Sequence, residues 1–217
     1  MNGKTISLRE EIFNKIKNNV ITGVLAQETI FTDREIAEQM GVSTTPVREA
    51  LAQLHQLGMI DQIPRKGYYI KPVTIKVVQE IIEFRLIIER SAAELAVERI
   101  TNEELTSLEK YRKIEIKEQA PLSIEKGVCL NKEFHMAIAR SSRNNHLVRA
   151  IDQILDEAAR LQYMDFSHHN GIEAWPIDHG RIIDALKTRN KKQAAIAVEE
   201  GLIWTRDRML SFGLYGI

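Results

Sequence analysis

The sequence predicts a mainly α fold: an N-terminal winged helix-turn-helix domain over residues 1–72, then an all-α helical-bundle C-terminal domain over residues 73–217. Three observations carry this expectation. Two short amphipathic helices meet at a glycine turn, Gly41-Val42-Ser43. A β-rich stretch with a basic tip follows within thirty residues. Beyond Pro72 the periodicity is almost purely helical, with no repeat and no long linker.

Each element has a local cause. Ser7 and Glu10 form a capping pair for a first helix whose buried stripe is Ile12, Ile16 and Val20, and Gly23 can end it in the left-handed conformation. Thr32 and Glu35 repeat the pair before a short helix carrying Ile36, Ala37 and Met40. Ser43 stands where it can cap a third helix with Pro46 in its first turn and Val47, Ala50, Leu51 and Leu54 on its apolar face, ended by Gly58. Met59–Pro64 and Tyr68–Lys71 read as two strands around Arg65-Lys66-Gly67, a basic wing.

Composition narrows the function classes. At 44% hydrophobic residues the chain can fill two cores and is not disordered. Apolar runs are short and broken by charge, and Met1–Glu10 lacks a secretory apolar segment, so a cytoplasmic chain without membrane contact is expected. Cys129 is the single cysteine, which excludes an intrachain disulfide or thiolate cluster, and it reads as a small core residue. Lys plus Arg and Asp plus Glu both number 30. Residues 1–72 hold nine Lys or Arg against eight Asp or Glu, a net of +1, so any affinity for nucleic acid must come from local placement. Arg34, Arg48, Arg65 and Lys66 are the candidate cations. Thr44 and Thr45 can add hydroxyl contacts at the start of a helix free to enter a major groove. Arg34 and Arg48 could instead be solvated charges paired with Glu38 or Glu49. The ordered run of helix, turn, threonine-rich helix start and basic hairpin favours a reading surface.

These residues resemble the GntR family of transcriptional regulators through Thr32-Asp33-Arg34-Glu35-Ile36-Ala37, through Gly41-Val42-Ser43-Thr44-Thr45-Pro46-Val47-Arg48-Glu49-Ala50-Leu51, and through Leu54 with Gly58. The resemblance implies a homodimer on a near-palindromic double-stranded DNA operator. Contacts would come from Arg34, Ser43, Thr44, Thr45, Arg48 and the wing tip Lys66-Gly67. Thr44 departs from the arginine usual in the family, which implies a shifted operator or weaker binding. Gln27-Glu28 replaces a common Pro-Gly turn.

In the second domain Thr74 caps a helix running to about Arg99, and Thr101 with Glu104 caps the next. Pro121 interrupts the pattern. Further helices are expected over residues 122–141, 146–164, 177–188 and 191–212, with 165–176 as the longest loop. The layout resembles the FCD branch of the family through Glu83-Phe84-Arg85 with Glu89, Asn131-x-x-Phe134-His135, and His179-x-x-Ile182 with Ala185-Leu186. Many such domains hold zinc or nickel with an aspartate and three histidines. Here His135 and His179 match, Asn131 stands for the aspartate and Gly201 for the last histidine. An amide is a poor ligand and glycine is none, so no cofactor is expected and the set reads as a degenerate metal site. His168 and His169 read as solvated loop residues.

The cavity itself is expected to survive, with Arg85 holding a carboxylate or phosphate bidentately while Asn131, His135 and His179 offer hydrogen bonds, and the family resemblance implies a small organic acid as the effector. The other reading of Arg85 is a helix-surface ion pair with Glu89. Trp204 is expected in the core or at a dimer interface. An enzyme using His135, Glu133 and His179 for acid–base work is the competing reading, as is a winged helix that contacts proteins. The chain lacks a nucleophile beside a base, a phosphate loop and a cofactor fingerprint.

Overall fold

A computed structural model describes residues 7–117, 123–168 and 179–211, and the chain divides into two compact units, Met1–Pro72 and Val73–Ile217. In the first unit the Ser7 hydroxyl accepts from the Glu10 N–H while the Glu10 carboxylate accepts from the Ser7 N–H, starting α1 (Leu8–Ile21). Gly23 follows at φ +74°. The same reciprocal bonds between Thr32 and Glu35 start α2 (Asp33–Met40), which Gly41 ends at φ +68°. Ser43 occupies the cap position of α3 (Thr44–Gln56), but its hydroxyl makes no capping bond. That departs from expectation. The third residue of α3 is Pro46, which has no N–H to donate back, so one of the two usual capping donors is absent.

Two short strands were expected and three form: β1 (Ile30–Phe31), β2 (Asp61–Ile63) and β3 (Gly67–Tyr69), antiparallel in the order β1-β3-β2. Ile30 pairs with Tyr69 on one edge of β3, and Asp61 pairs with Tyr69 on the other. The Lys66 N–H donates to the Ile63 carbonyl at 3.0 Å, closing a turn with Pro64 and Arg65 at its centre. Gly67, at φ +123°, passes so close to β1 that a Cβ there would lie 2.3 Å from the Phe31 carbonyl oxygen. Ile12, Ile16 and Val20 of α1 bury with Val47, Leu51 and Leu54 of α3 and with Ile60 and Ile70 beside the strands. Glu28, in the place of the usual turn glycine, takes φ +60°, a conformation that suits glycine better.

The second unit comprises α4 (Ile75–Arg99), α5 (Asn102–Lys117), α6 (Ile124–Ser141), α7 (Asn145–His168), α8 (His179–Lys187) and α9 (Lys191–Ser211). The ion pairs Lys191–Glu98 at 2.5 Å and Arg90–Glu199 at 3.0 Å show that α9 runs antiparallel along α4. Ala92, Ala93 and Ala96 of α4 and Ala194 and Ala197 of α9 are buried, and such small side chains let the two helices approach closely. The helix α7 continues four residues past the expected end, so Asp165 is helical and buried rather than part of a loop. His168 is the last residue of α7, while His169, Pro121 and residues 169–176 of the expected loop lie outside the described residues. Cys129 is exposed, not core. The buried residues of α6 include Val128, Asn131, Phe134 and Ile138, at helical spacing, and position 129 falls outside that stripe. No helix among the described residues is long and apolar enough to cross a membrane.

Candidate nucleic-acid interface and effector cavity

The capped starts of α2 and α3 bring two arginines to the surface of the first unit. Arg34 is 81% exposed and its Nε donates to Glu38 Oε1 at 3.0 Å, a helix-surface pair of solvated charges. Arg48 behaves differently. Its Nε donates to Asp33 Oδ2 at 2.7 Å, from α3 across to the first turn of α2, and the partner is not Glu49, which instead pairs with Arg9 of α1. Ser43, Thr45, Arg65 and Lys66 are exposed, while Thr44 and Gly67 are half-buried. Arg65 holds φ +63°, a left-handed backbone that costs an ordinary residue about 1–2 kcal/mol. Gly67 has a structural reason to lack a side chain, its approach to Phe31.

In the second unit α4 buries two charges on its inner face. Arg85, 2% exposed, donates from Nε to Glu89 Oε1 at 2.5 Å, and the second Glu89 oxygen lies 2.6 Å from His135 Nδ1. Neither sequence reading of Arg85 was complete, because the pair with Glu89 exists and is buried. Burial alone would raise the Glu89 carboxyl, but the Arg85 guanidinium and the His135 imidazole overcome it and hold the value at about 2. His179 opens α8, and its ring stacks on Phe134 with centroids 3.8 Å apart. Its Nε2 bonds Asn131 Oδ1 at 3.2 Å. Burial, with a smaller push from His135, drives the His179 pKa well below its ordinary 6.5, so the ring is neutral.

Arg85, Asn131, His135 and His179 all line one cavity of about 70 Å³, closed on another side by Gly201, Trp204 and Thr205 of α9. That is room for a molecule of a few heavy atoms. Trp204 is not core: it is 40% exposed, and the Arg208 guanidinium lies 5.2 Å from its ring centre. Arg208 in turn bonds Asp165, with both Nε and Nη2 within 3.1 Å of the carboxylate. Sequence reasoning missed Asp165, Gln162 and Phe166, which also line the cavity. Leu161 and Asp165, one helical turn apart, carry the buried face of α7 past its expected end, but a polar residue at that place gives no hydrophobic periodicity to read.

The model for the FCD domain matches residues 80–202, and that for the bacterial regulatory proteins of the gntR family matches residues 8–70. The chain belongs to the GntR family, in its FCD branch. It is 29% identical over 190 residues to the uncharacterized HTH-type transcriptional regulator YdhC of Bacillus subtilis, covering 85% of this chain and 83% of that one. It is also 29% identical over 151 residues to the transcriptional regulator McbR of Escherichia coli, covering 70% and 68%. The solved structure of E. coli McbR/YncC superposes with a TM-score of 0.78 at 23% identity, over 95% of this chain and 99% of that one, which shows a shared fold. These are DNA-binding transcriptional regulators, so that coarse function belongs to this chain as well.

Many FCD domains are metal proteins, and the residues present here do not fit a metal. Among the described residues no group of three His, Cys, Asp or Glu side chains is placed to hold one. His135 turns Nδ1 to Glu89, His179 gives Nε2 to an amide oxygen, and Gly201 offers no donor. A Cβ added at Gly201 would meet no atom within 4 Å, so a side chain could at least start into the cavity from this position.

Proposed function

We propose that the chain is a cytoplasmic, homodimeric, sequence-specific transcriptional regulator, and not an enzyme, whose affinity for a double-stranded DNA operator is set by a small organic acid in the second unit, without a tightly held metal. One observation supports the effector most: a buried guanidinium, a neutral imidazole, an amide and a second imidazole converge on one small cavity. Glu89 engages Arg85 through Nε only, which leaves the Nη groups as donors for a carboxylate. Operator contacts come from Arg34, Ser43, Thr44, Thr45, Arg48, Arg65, Lys66 and Gly67. The left-handed Arg65 supports the wing in this role, because glycine would adopt that backbone more cheaply and a basic side chain stands there instead.

The test is a fluorescent operator duplex, obtained by selection from random DNA, titrated with the protein in the presence of two- to six-carbon mono- and dicarboxylates and of their uncharged amides. The reading expects at least one acid, and not its amide, to change operator affinity by about 5- to 150-fold. Arg85→Ala and Arg85→Gln should both lose that response and keep DNA binding. A normal response in folded Arg85→Gln contradicts the anion-holding role.

A further inference from the structure

Asp33 sits in the first turn of α2, where an acidic side chain has an ordinary explanation, favourable interaction with the helix N-terminus. Its geometry does more than that explanation needs. The carboxylate is only 24% exposed, and it accepts from Arg48 Nε at 2.7 Å across a sequence separation of 15 residues. Its backbone is anchored by the reciprocal Thr32–Glu35 cap immediately beside it. Buried Tyr68 of the central strand β3 feels the charge of both Asp33 and Arg48, so the pair stands where helix α2, helix α3 and the sheet meet. Arg34 offers the contrast. Its partner Glu38 is on the same helix and 67% exposed, a pair that solvent loosens.

A guanidinium can present two donor edges, the side edge through Nε and the end edge through its two Nη groups. Asp33 takes the side edge of Arg48. The end edge, with its two parallel N–H donors, is the one that matches O6 and N7 of a guanine. A free arginine side chain loses rotamer freedom when it is fixed, and a partner already holding Nε removes part of that loss before DNA arrives. An acid at a DNA-facing surface also repels phosphate, so it weakens binding to every sequence while sharpening the choice among them.

Resting on the DNA-reading assignment above, we infer that Asp33 is a positioning residue for base recognition: it holds Arg48 by its side edge and presents the end edge to one guanine in each half-site. The experiment selects duplexes from a random pool with the full-length wild type, Arg48→Ala, Asp33→Ala, Asp33→Asn and Asp33→Glu, and measures affinity of each for the selected duplex, for its single-base variants and for unrelated DNA. Arg48→Ala should erase preference at one base pair per half-site, by about tenfold or more. Asp33→Ala and Asp33→Asn should lose preference at that same base pair, by about threefold or more, and bind unrelated DNA as well as or better than wild type. Asp33→Glu, which keeps a carboxylate, should recover most of the preference.

A purely structural Asp33 predicts a different pattern, an even loss across all positions and all DNA together with a lower melting temperature. That pattern overturns the inference. So does full preference in Asp33→Ala at the pair that Arg48→Ala erases, or an Arg48→Ala protein with no position-specific loss. A wild type that selects no motif removes the DNA-reading assignment itself, and the positioning role falls with it.

Discussion

His179 Nε2 and Asn131 Oδ1 lie 3.2 Å apart inside the second unit, the neutral imidazole donating to the amide oxygen. The nitrogen that could bind a metal is therefore occupied by its own proton, and the acceptor stands at the position where the family often has a carboxylate. Because Gly201 leaves open space in the same cavity wall, Asn131→Asp with Gly201→His should restore an aspartate and three imidazoles without disturbing the backbone. Elemental analysis after dialysis should find about one zinc or nickel per double-mutant chain and little in the native protein. Added metal should raise the melting temperature of the mutant alone. Stoichiometric metal in the native protein contradicts this reading.

Two perturbed groups of the second unit, His179 in the cavity and Glu89 behind Arg85, make stability fall on acidification in separate windows. His179 resists protonation when folded, so the unfolded chain takes up a proton first as pH drops below about 6.5, and stability falls by up to about 1.4 kcal/mol per pH unit. Glu89 is held at about 2 against an ordinary 4.5. Its contribution is complete above pH 4.5 and is lost as pH falls toward 2. Glu89→Gln leaves a buried guanidinium without its carboxylate and should cost about 3–5 kcal/mol at pH 7 by urea unfolding. The variant should also fall less steeply below pH 4.5. An unchanged unfolding midpoint at pH 7 would show that the Arg85–Glu89 pair is not held as described.

Two glycines should answer the same substitution with opposite signs. Gly67→Ala places a methyl group 2.3 Å from the Phe31 carbonyl oxygen on a backbone at φ +123°, so it should destabilise the first unit by about 1–3 kcal/mol. Gly201→Ala enters open space within α9 and should stabilise by about 0.5–1 kcal/mol. Melting temperatures of the two variants check both, and an equal loss in each would place Gly201 in a tighter environment than the cavity provides.

Much of this was legible from residue order. Ser7 with Glu10, Thr32 with Glu35, and Thr101 with Glu104 announced helix starts that the hydrogen bonds confirm, because a cap is a local interaction. The strand β1 was not legible, since two residues carry no periodicity and Ile30–Phe31 is a strand only because β3 lies beside it. The missing Ser43 cap was readable in principle from Pro46. The cavity residues Arg85, Asn131, His135 and His179 could be named by resemblance, but the burial of Glu89 between Arg85 and His135 depends on how α4 and α6 meet. Asp165 was hidden for another reason. A polar residue near the end of an apolar stripe looks like a loop start until its partner Arg208, 43 residues on, is brought beside it.

With nine Lys or Arg against eight Asp or Glu, the first unit can read DNA sequence only with a few placed cations and not with bulk charge. The most direct measurement is equilibrium affinity for the selected operator duplex and for a scrambled duplex of the same composition, across a range of salt concentration. A preference of about a thousandfold or more for the operator is expected, with a linear fall of log affinity with log salt. Arg48→Ala should cost about 1–3 kcal/mol and relax the base preference, whereas Lys66→Ala should weaken both duplexes evenly and reduce the salt slope by about one. Equal affinity for the two duplexes, insensitive to salt, would contradict sequence reading by placed cations.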